Sequence, residues 1–298
     1  MTTATVTAPA GRDFGTGLLV TAVRPEPAGG YRWRRAPGPL APAPFVPTGT
    51  APHRLGTARP GATSVHWVVG EPDGDARTYR VRGTTSVAAV LLGNGPEPAM
   101  ASLLHGLGQA LRELHAQPLP PGVAAGGAPR GLVRFTRWLD GRSPHPRGAY
   151  AESLLRSRLG GAALARVREH TAQIAAADER VLCHGAPGLG SLIPAEGEPA
   201  AADALIGEDV CAAPWYYDLG WVLGELVELQ WYLGGDRPAW QLLINALLDG
   251  YGRVLDDRWR ETVAFRVLLH VHDYISYVGW EPKVFDKYTG FARHLLSS

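Results

Sequence analysis

Lysine is nearly missing from this chain. Of its 298 residues only Lys283 and Lys287 are lysine, both near the C-terminal end. A Walker-type phosphate loop, which sets a lysine behind its glycines, is thereby excluded. The glycines around Gly56 and Gly61 also lack the three-glycine spacing of a kinase phosphate loop, and read as an ordinary Pro/Gly loop. Cysteine is equally scarce. Cys183 and Cys211 are too few for a disulfide framework, and both fall in apolar segments, as buried thiols do. Nowhere do about eighteen apolar residues run together, and no basic head precedes an apolar stretch at the N-terminus. An excess of one charge is lacking too. The formal net charge of +1 gives no long-range attraction to nucleic acid or to a membrane surface. A cytoplasmic, soluble protein with no nucleic-acid or membrane partner is expected. Alanine, glycine, proline and arginine are abundant, the usage of a GC-rich bacterial genome. The length allows a large core, as one domain or two lobes, and no pattern fixes an oligomeric state.

Residues 1–12 are small and polar and are expected to form a disordered tail. Gly15 to Val23 suits one strand or a short helix. Asp13-Phe14-Gly15 spells the metal-binding tripeptide of protein kinases, but no catalytic loop precedes it, and the match is taken as chance. After Gly29-Gly30, the run Tyr31-Arg32-Trp33-Arg34-Arg35 alternates basic and aromatic residues. It is read as an exposed strand with arginine stems over aromatic neighbours, or alternatively as a patch for an anionic partner. Pro37 to Pro60 holds too many prolines for regular structure. Val65, Trp67 and Val69 then alternate, Glu71 to Asp75 signals a turn, and Thr78 to Val81 is the expected partner strand. Ser86 to Leu92 is expected to be a third extended run. Arg80 and Arg82 are the candidate phosphate or anion contacts of this sheet.

Helical signals take over from Glu97. Leu104, Leu107, Leu111 and Leu114 recur at three and four residues up to Ala116, and Pro118, Pro120 and Pro121 stop the helix. Val133 to Leu139 is expected to be a short strand or irregular, with Arg134 and Arg137 facing solvent. Tyr150 to Ala176 forms one or two helices, with a break at Gly160-Gly161. Beyond Asp218 the chain reads as wholly helical. His270, His272 and Asp273 do not converge as a metal site, because residues two apart on a helix point apart; a structural hydrogen bond is expected.

The chain is organised around Val181 to Asp218. Val181-Leu182-Cys183 is a short apolar run that breaks at His184-Gly185. Leu192-Ile193 is apolar again, Glu196 to Pro199 turns, and Ala204-Leu205-Ile206 forms another run. This strand–loop–strand–turn–strand order sets the loop at 184–191 beside the loop at 207–213. It resembles the catalytic centre of the aminoglycoside phosphotransferase and choline kinase group, a branch of the protein-kinase-like fold. The family loop reads His-Gly-Asp and, after four residues, Asn. His184 and Gly185 match, but Ala186 stands at the Asp and Ser191 at the Asn. The family's second loop follows Ile with an Asp that holds magnesium. Here Ile206 is followed by Gly207, and then by Glu208 and Asp209. The later Tyr-Asp-Leu is intact as Tyr217-Asp218-Leu219, and Leu111 to His115 resembles the end of the family's first large-lobe helix.

The resemblance implies an α+β, protein-kinase-like two-lobe fold, with a reduced β lobe at 13–96 and a mainly helical lobe at 97–298. It also implies that the chain is a degenerate member. Phosphoryl transfer needs a carboxylate to orient the acceptor hydroxyl and oxygen ligands for magnesium. Ala186 and Gly207 supply neither, so an active kinase is not expected. His184, Gly185 and Asp218 are expected to be scaffold, with Asp218 bracing the catalytic loop. Trp215, Tyr216 and Tyr217 are expected to cover that loop or to wall an open cleft. A pseudoenzyme without cofactor, binding a protein or peptide partner, is the function implied. Related bacterial proteins act in pathways that dehydrate Ser and Thr of modified peptides. One alternative is an ATP- and Mg2+-dependent phosphotransferase in which Glu208 or Asp209 takes the metal. Another is a purely structural interaction subunit docking through its N-terminal segment.

Overall fold

The computed structural model describes residues 11–47, 64–253, 255–257 and 259–297. Most of the expected tail at 1–12, and the glycines at 56 and 61, lie outside these residues. The N-terminal part is a sheet. β1 (Arg12–Gly15) and β2 (Leu19–Pro25) form a hairpin, so Gly15 to Val23 is neither a single strand nor a helix. Asp13 sits on this exposed edge, paired to Arg24 at 2.5 Å. β3 (Tyr31–Pro37) is a central strand rather than an exposed one, with Trp33 and Arg35 turned inward. β4 (Val65–Val69), β5 (Glu71–Asp73) and β6 (Ala76–Val81) follow, and the five-stranded order is β1-β2-β3-β6-β5.

Two expectations in this region are corrected. β4 does not pair with Thr78 to Val81; it pairs in parallel with the later β9 (Glu198–Ile206), Val65 opposite Ala202. Alternation fixes which side chains face inward, but not which strand lies alongside. Ser86 to Leu92 is not extended either. Val87–Asn94 is helix α1, and the Ser86 hydroxyl caps it by accepting from Ala89 N–H at 3.3 Å. Its residues are apolar nearly all round, so no helical stripe is visible in the sequence.

α2 (Met100–His115) carries the leucine stripe into the core. A short turn, α3 (Pro121–Ala124), leads to α4 (Arg130–Leu139), where a strand or irregular segment was expected. Val133, Phe135, Thr136 and Trp138 have strand propensity, yet Leu132, Phe135 and Leu139 fall on one helical face and are buried. α5 (Pro146–Leu159) and α6 (Gly161–Ala175) are separate helices meeting at Gly160. β7 (Val181–Cys183), β8 (Leu192–Ala195), β9 and β10 (Cys211–Ala213) carry the two loops. β7 and β10 are antiparallel, with Cys183 opposite Cys211, and β8 and β9 form the hairpin between them. α7 (Tyr216–Leu233), α8 (Arg237–Tyr251), α9 (Trp259–Tyr277) and α10 (Pro282–Ser297) complete the helical part. Trp138, Phe135, Trp240 and Tyr217 fill its core. The architecture is a two-lobed, kinase-like α+β fold with an N-terminal β lobe and a mainly helical remainder.

Candidate functional site

Because β7 and β10 lie side by side, the loop at 184–191 and the loop at 207–210 meet at the junction of the two lobes. Gly185 is the point of contact. Its φ is +89°, and a Cβ there would stand 1.9 Å from the Asp209 carbonyl oxygen, so only glycine fits. Asp218, fully buried in the first turn of α7, accepts from His184 N–H at 2.6 Å and Gly185 N–H at 3.0 Å. His115 reaches the same carboxylate from α2, Nε2 to Oδ2 at 3.2 Å, while its Nδ1 meets the Tyr251 hydroxyl at 2.8 Å. The His184 ring joins its own loop to β9. Nε2 lies 2.7 Å from the Leu205 carbonyl, and Nδ1 accepts from Ala186 N–H at 3.3 Å. These groups hold the backbone of the loop rather than facing open space.

The cleft above them is a cavity of about 240 Å³. Ala186 presents only a methyl group to it. Ser191 Oγ is occupied, accepting from Arg35 Nη1 at 2.9 Å, and Arg35 Nη2 donates to the Gly190 carbonyl at 2.7 Å. Gly207 adopts φ +133° and offers no side chain. Glu208 is buried, accepts from the Tyr79 hydroxyl at 2.9 Å, and lies 3.5 Å from Arg35. Asp209 is bound by Arg130 at 2.5 Å. Arg134 and Asp273 pair at 2.8 Å on the same wall, and Glu225 accepts from Leu189 N–H at 2.7 Å and from Arg266 at 2.5 Å. Burial would raise the pKa of Asp273, but Arg134 and His272 outweigh it and hold the carboxyl well below its usual range. Burial, reinforced by Glu208, pushes the Tyr79 hydroxyl well up.

Several expected site residues lie elsewhere. Arg80 points to solvent, and Arg82 is bound to Asp203 at 2.7 Å and Glu198 at 3.3 Å, so neither lines the cleft. The inward position on that sheet belongs to Arg35 of β3. Tyr217 is packed against Trp221 and Phe265, Trp215 stacks on Tyr251, and Tyr216 lies against His170. The aromatic groups of the cleft are instead Trp221 and Phe45. Arg134 does not face solvent, whereas Arg137 does. His272 bonds Asp273 at 2.8 Å, and His270 lies 3.3 Å from Glu228. The cleft cations Arg35, Arg130 and Arg134 escaped sequence reasoning. A four-residue spacing of two arginines on one helix, and an arginine sharing its strand face with Trp33, were the signals available.

Magnesium, which the fold family implies, does not fit these loops as they stand. A hard cation takes carboxylate and carbonyl oxygens. Gly207 gives no carboxylate, Ser191 is engaged by Arg35, and Asp209 is neutralised by Arg130. Among the described residues one other group of donors gathers: His115, Cys183 and Asp218, with ligand atoms all within 4.8 Å of one another. It is wholly buried beneath the loop, both Asp218 oxygens already accept backbone N–H groups, and burial raises the Cys183 thiol well above its usual value. In this arrangement the Asp218 carboxylate braces the backbone of the loop.

No family model matches the sequence, and neither does any curated protein. Solved structures do match in shape. An amicoumacin kinase, hAmiN, solved with AMP-PNP, Ca2+ and Ami, superposes with a TM-score of 0.56 at 11% identity, covering 96% of this chain and 88% of that one. The kanamycin and GDP complex of APH(2")-IIia gives 0.54 at 14% identity, over 98% and 93%. A choline/ethanolamine kinase family protein from Mesorhizobium loti gives 0.54 at 15% identity, over 97% and 88%. At such identities the likeness establishes a fold: this chain is built as the aminoglycoside phosphotransferases and choline kinases are built.

Proposed function

We propose that this chain is a phosphotransferase-like pseudoenzyme, a binding subunit whose interlobe cleft receives part of a protein or peptide partner. One observation carries this: the acidic groups flanking the two loops are each already bound to an arginine or a backbone amide of the same chain. Asp209 is held by Arg130, Glu225 by Arg266 and Leu189 N–H, and Asp273 by Arg134. The position from which a carboxylate would orient an acceptor hydroxyl is Ala186. The bracing of His184 and Gly185 by Asp218 needs no substrate, and it keeps the cleft in shape without chemistry. The setting implied by the resemblance is a bacterial pathway that modifies Ser and Thr of a peptide. Calorimetric titration with ATP, with and without Mg2+, tests the proposal. No binding heat, together with recovery of a peptide or protein partner from the native host, is expected. Phosphoryl transfer by the purified chain would refute it.

A second reading is favoured by the position of Glu208 and Asp209 at the cleft. In that reading the chain is an ATP- and Mg2+-dependent phosphotransferase with displaced ligands. Magnesium-dependent nucleotide binding that is lost in a folded Asp209→Ala variant would support it.

A further inference from the structure

Arg130 is the point on which the oxygens of the degenerate metal loop converge. Its Nη1 donates to Asp209 Oδ1 at 2.5 Å and to the Glu208 carbonyl at 3.3 Å. Its Nη2 donates to the Ala43 carbonyl at 2.8 Å. The guanidinium lies 5.7 Å from the centre of the Phe45 ring. Ala43 and Phe45 belong to the proline-rich segment that follows β3. Val46 N–H of that segment donates to the Glu208 carbonyl at 3.1 Å, and Arg77 Nη2 donates to the Val46 carbonyl at 2.6 Å. One cation therefore gathers a carboxylate oxygen and two backbone carbonyls from two segments far apart in the chain. Carboxylate and carbonyl oxygens are the donors that a hard divalent cation takes.

We propose that Arg130 stands in for the divalent cation of this cleft, and that removing its guanidinium uncovers an oxygen site for a hard divalent ion. The inference rests on the non-catalytic reading of the cleft and explains how its acidic loop stays neutral without metal. A fixed guanidinium both uses the oxygens and repels a second cation. Asp209 and Arg130 keep 19% of their side-chain surface in contact with solvent, so an ion has a path to the carboxylate once Arg130 is gone. Arg35 serves the neighbouring Glu208, but at 3.5 Å and from a more buried position. It therefore leaves the Asp209 oxygens to Arg130.

Binding of Mn2+ alone, without nucleotide, followed by water-proton relaxation, tests the inference on the full chain. The parent is expected to show no saturable site. Arg130→Met is expected to gain one, with a dissociation constant on the order of 10⁻⁴–10⁻³ M. Adding Asp209→Asn to that variant is expected to abolish it. Arg130→Gln, which keeps an N–H donor for the Ala43 carbonyl, is the second variant should Arg130→Met be unstable. If both variants are unfolded alone, refolding on addition of Mn2+ supports the inference. A parent that binds Mn2+ as tightly as the variants, a folded Arg130→Met without a site, or unfolded variants that Mn2+ does not restore each overturn it. Phosphoryl transfer by the parent is a separate readout and would refute the non-catalytic reading instead.

Discussion

Replacing Asp218 by alanine should destabilise the whole molecule while touching nothing that faces the cleft. The carboxylate is fully buried and takes hydrogen bonds from the amides of His184 and Gly185, with the His115 ring as a third neighbour. A hydrogen bond to a charged group contributes about 1.5–3 kcal/mol, and a buried donor left without a partner costs further. Two lost amide contacts therefore amount to about 3–5 kcal/mol once some relaxation is allowed. For a chain of this size each kcal/mol moves the melting temperature by roughly 2 °C or somewhat more. A fall of at least about 6 °C is expected by calorimetry or circular dichroism, with a smaller fall for Asp218→Asn, which keeps one acceptor. A fall of less than about 2 °C would refute the brace. The same assay separates the brace from a metal site. EDTA should leave the parent's melting temperature unchanged, whereas a clear drop that is absent in a Cys183→Ala variant would show that His115, Cys183 and Asp218 hold an ion.

Further expectations follow from the cleft. Arg35→Met strips Glu208 of its nearby cation and the Ser191 hydroxyl of its donor, and a loss of about 3–5 kcal/mol is expected in urea unfolding. An unchanged urea midpoint would show that Arg35 is dispensable. Gly207→Asp places a carboxylate in the second loop, and the nearest atom to a new Cβ is 3.6 Å away, yet φ of +133° should cost about 1–3 kcal/mol. Phosphoryl transfer should not appear with it, since Ala186 remains; a gain of activity would contradict that. At alkaline pH the buried tyrosines set the limit, because burial, with Asp273 adding to it, pushes Tyr277 up to about 12. Burial favours their neutral form, so the stability they contribute is complete below the unfolded value of about 10 and is lost as pH rises through about 12. Tyrosinate absorbance should then appear together with unfolding, and reversible titration of every tyrosine near pH 10 in the folded protein would count against it.

Residues 97–298 were the more legible part of the chain. Leucine spacing, prolines and paired glycines mark α2, α5 and α6 within a few residues, and the wholly helical reading beyond Asp218 covers α7 to α10. The order of short apolar runs around His184 places both loops. What escaped was everything that needs a partner from elsewhere in the chain. Arg134 reads as a solvent residue until α9 brings Asp273 beside it. Arg35 reads as part of an exposed basic run until the sheet turns it toward Ser191 and Glu208. α1 was hidden because a helix whose residues are apolar nearly all round shows no stripe, and α4 because its aromatic and β-branched residues imitate a strand. Periodicity reports the faces of a single element, whereas a cleft is a property of several.

The parallel pairing of β4 with β9 bears on how the chain comes off the ribosome. Val65 has its partner in Ala202, so the hydrogen-bonding edge of an apolar strand emerges long before the strand that covers it. At about 5–20 residues per second that interval is on the order of 10 s. Through it, Val65 to Val69 is a bare template for another nascent chain, and only completion of the hairpin that carries both loops closes it. Synthesis in a host short of chaperones should therefore lose this protein to aggregation before the cleft exists, and faster elongation across residues 70–200 should raise the soluble yield.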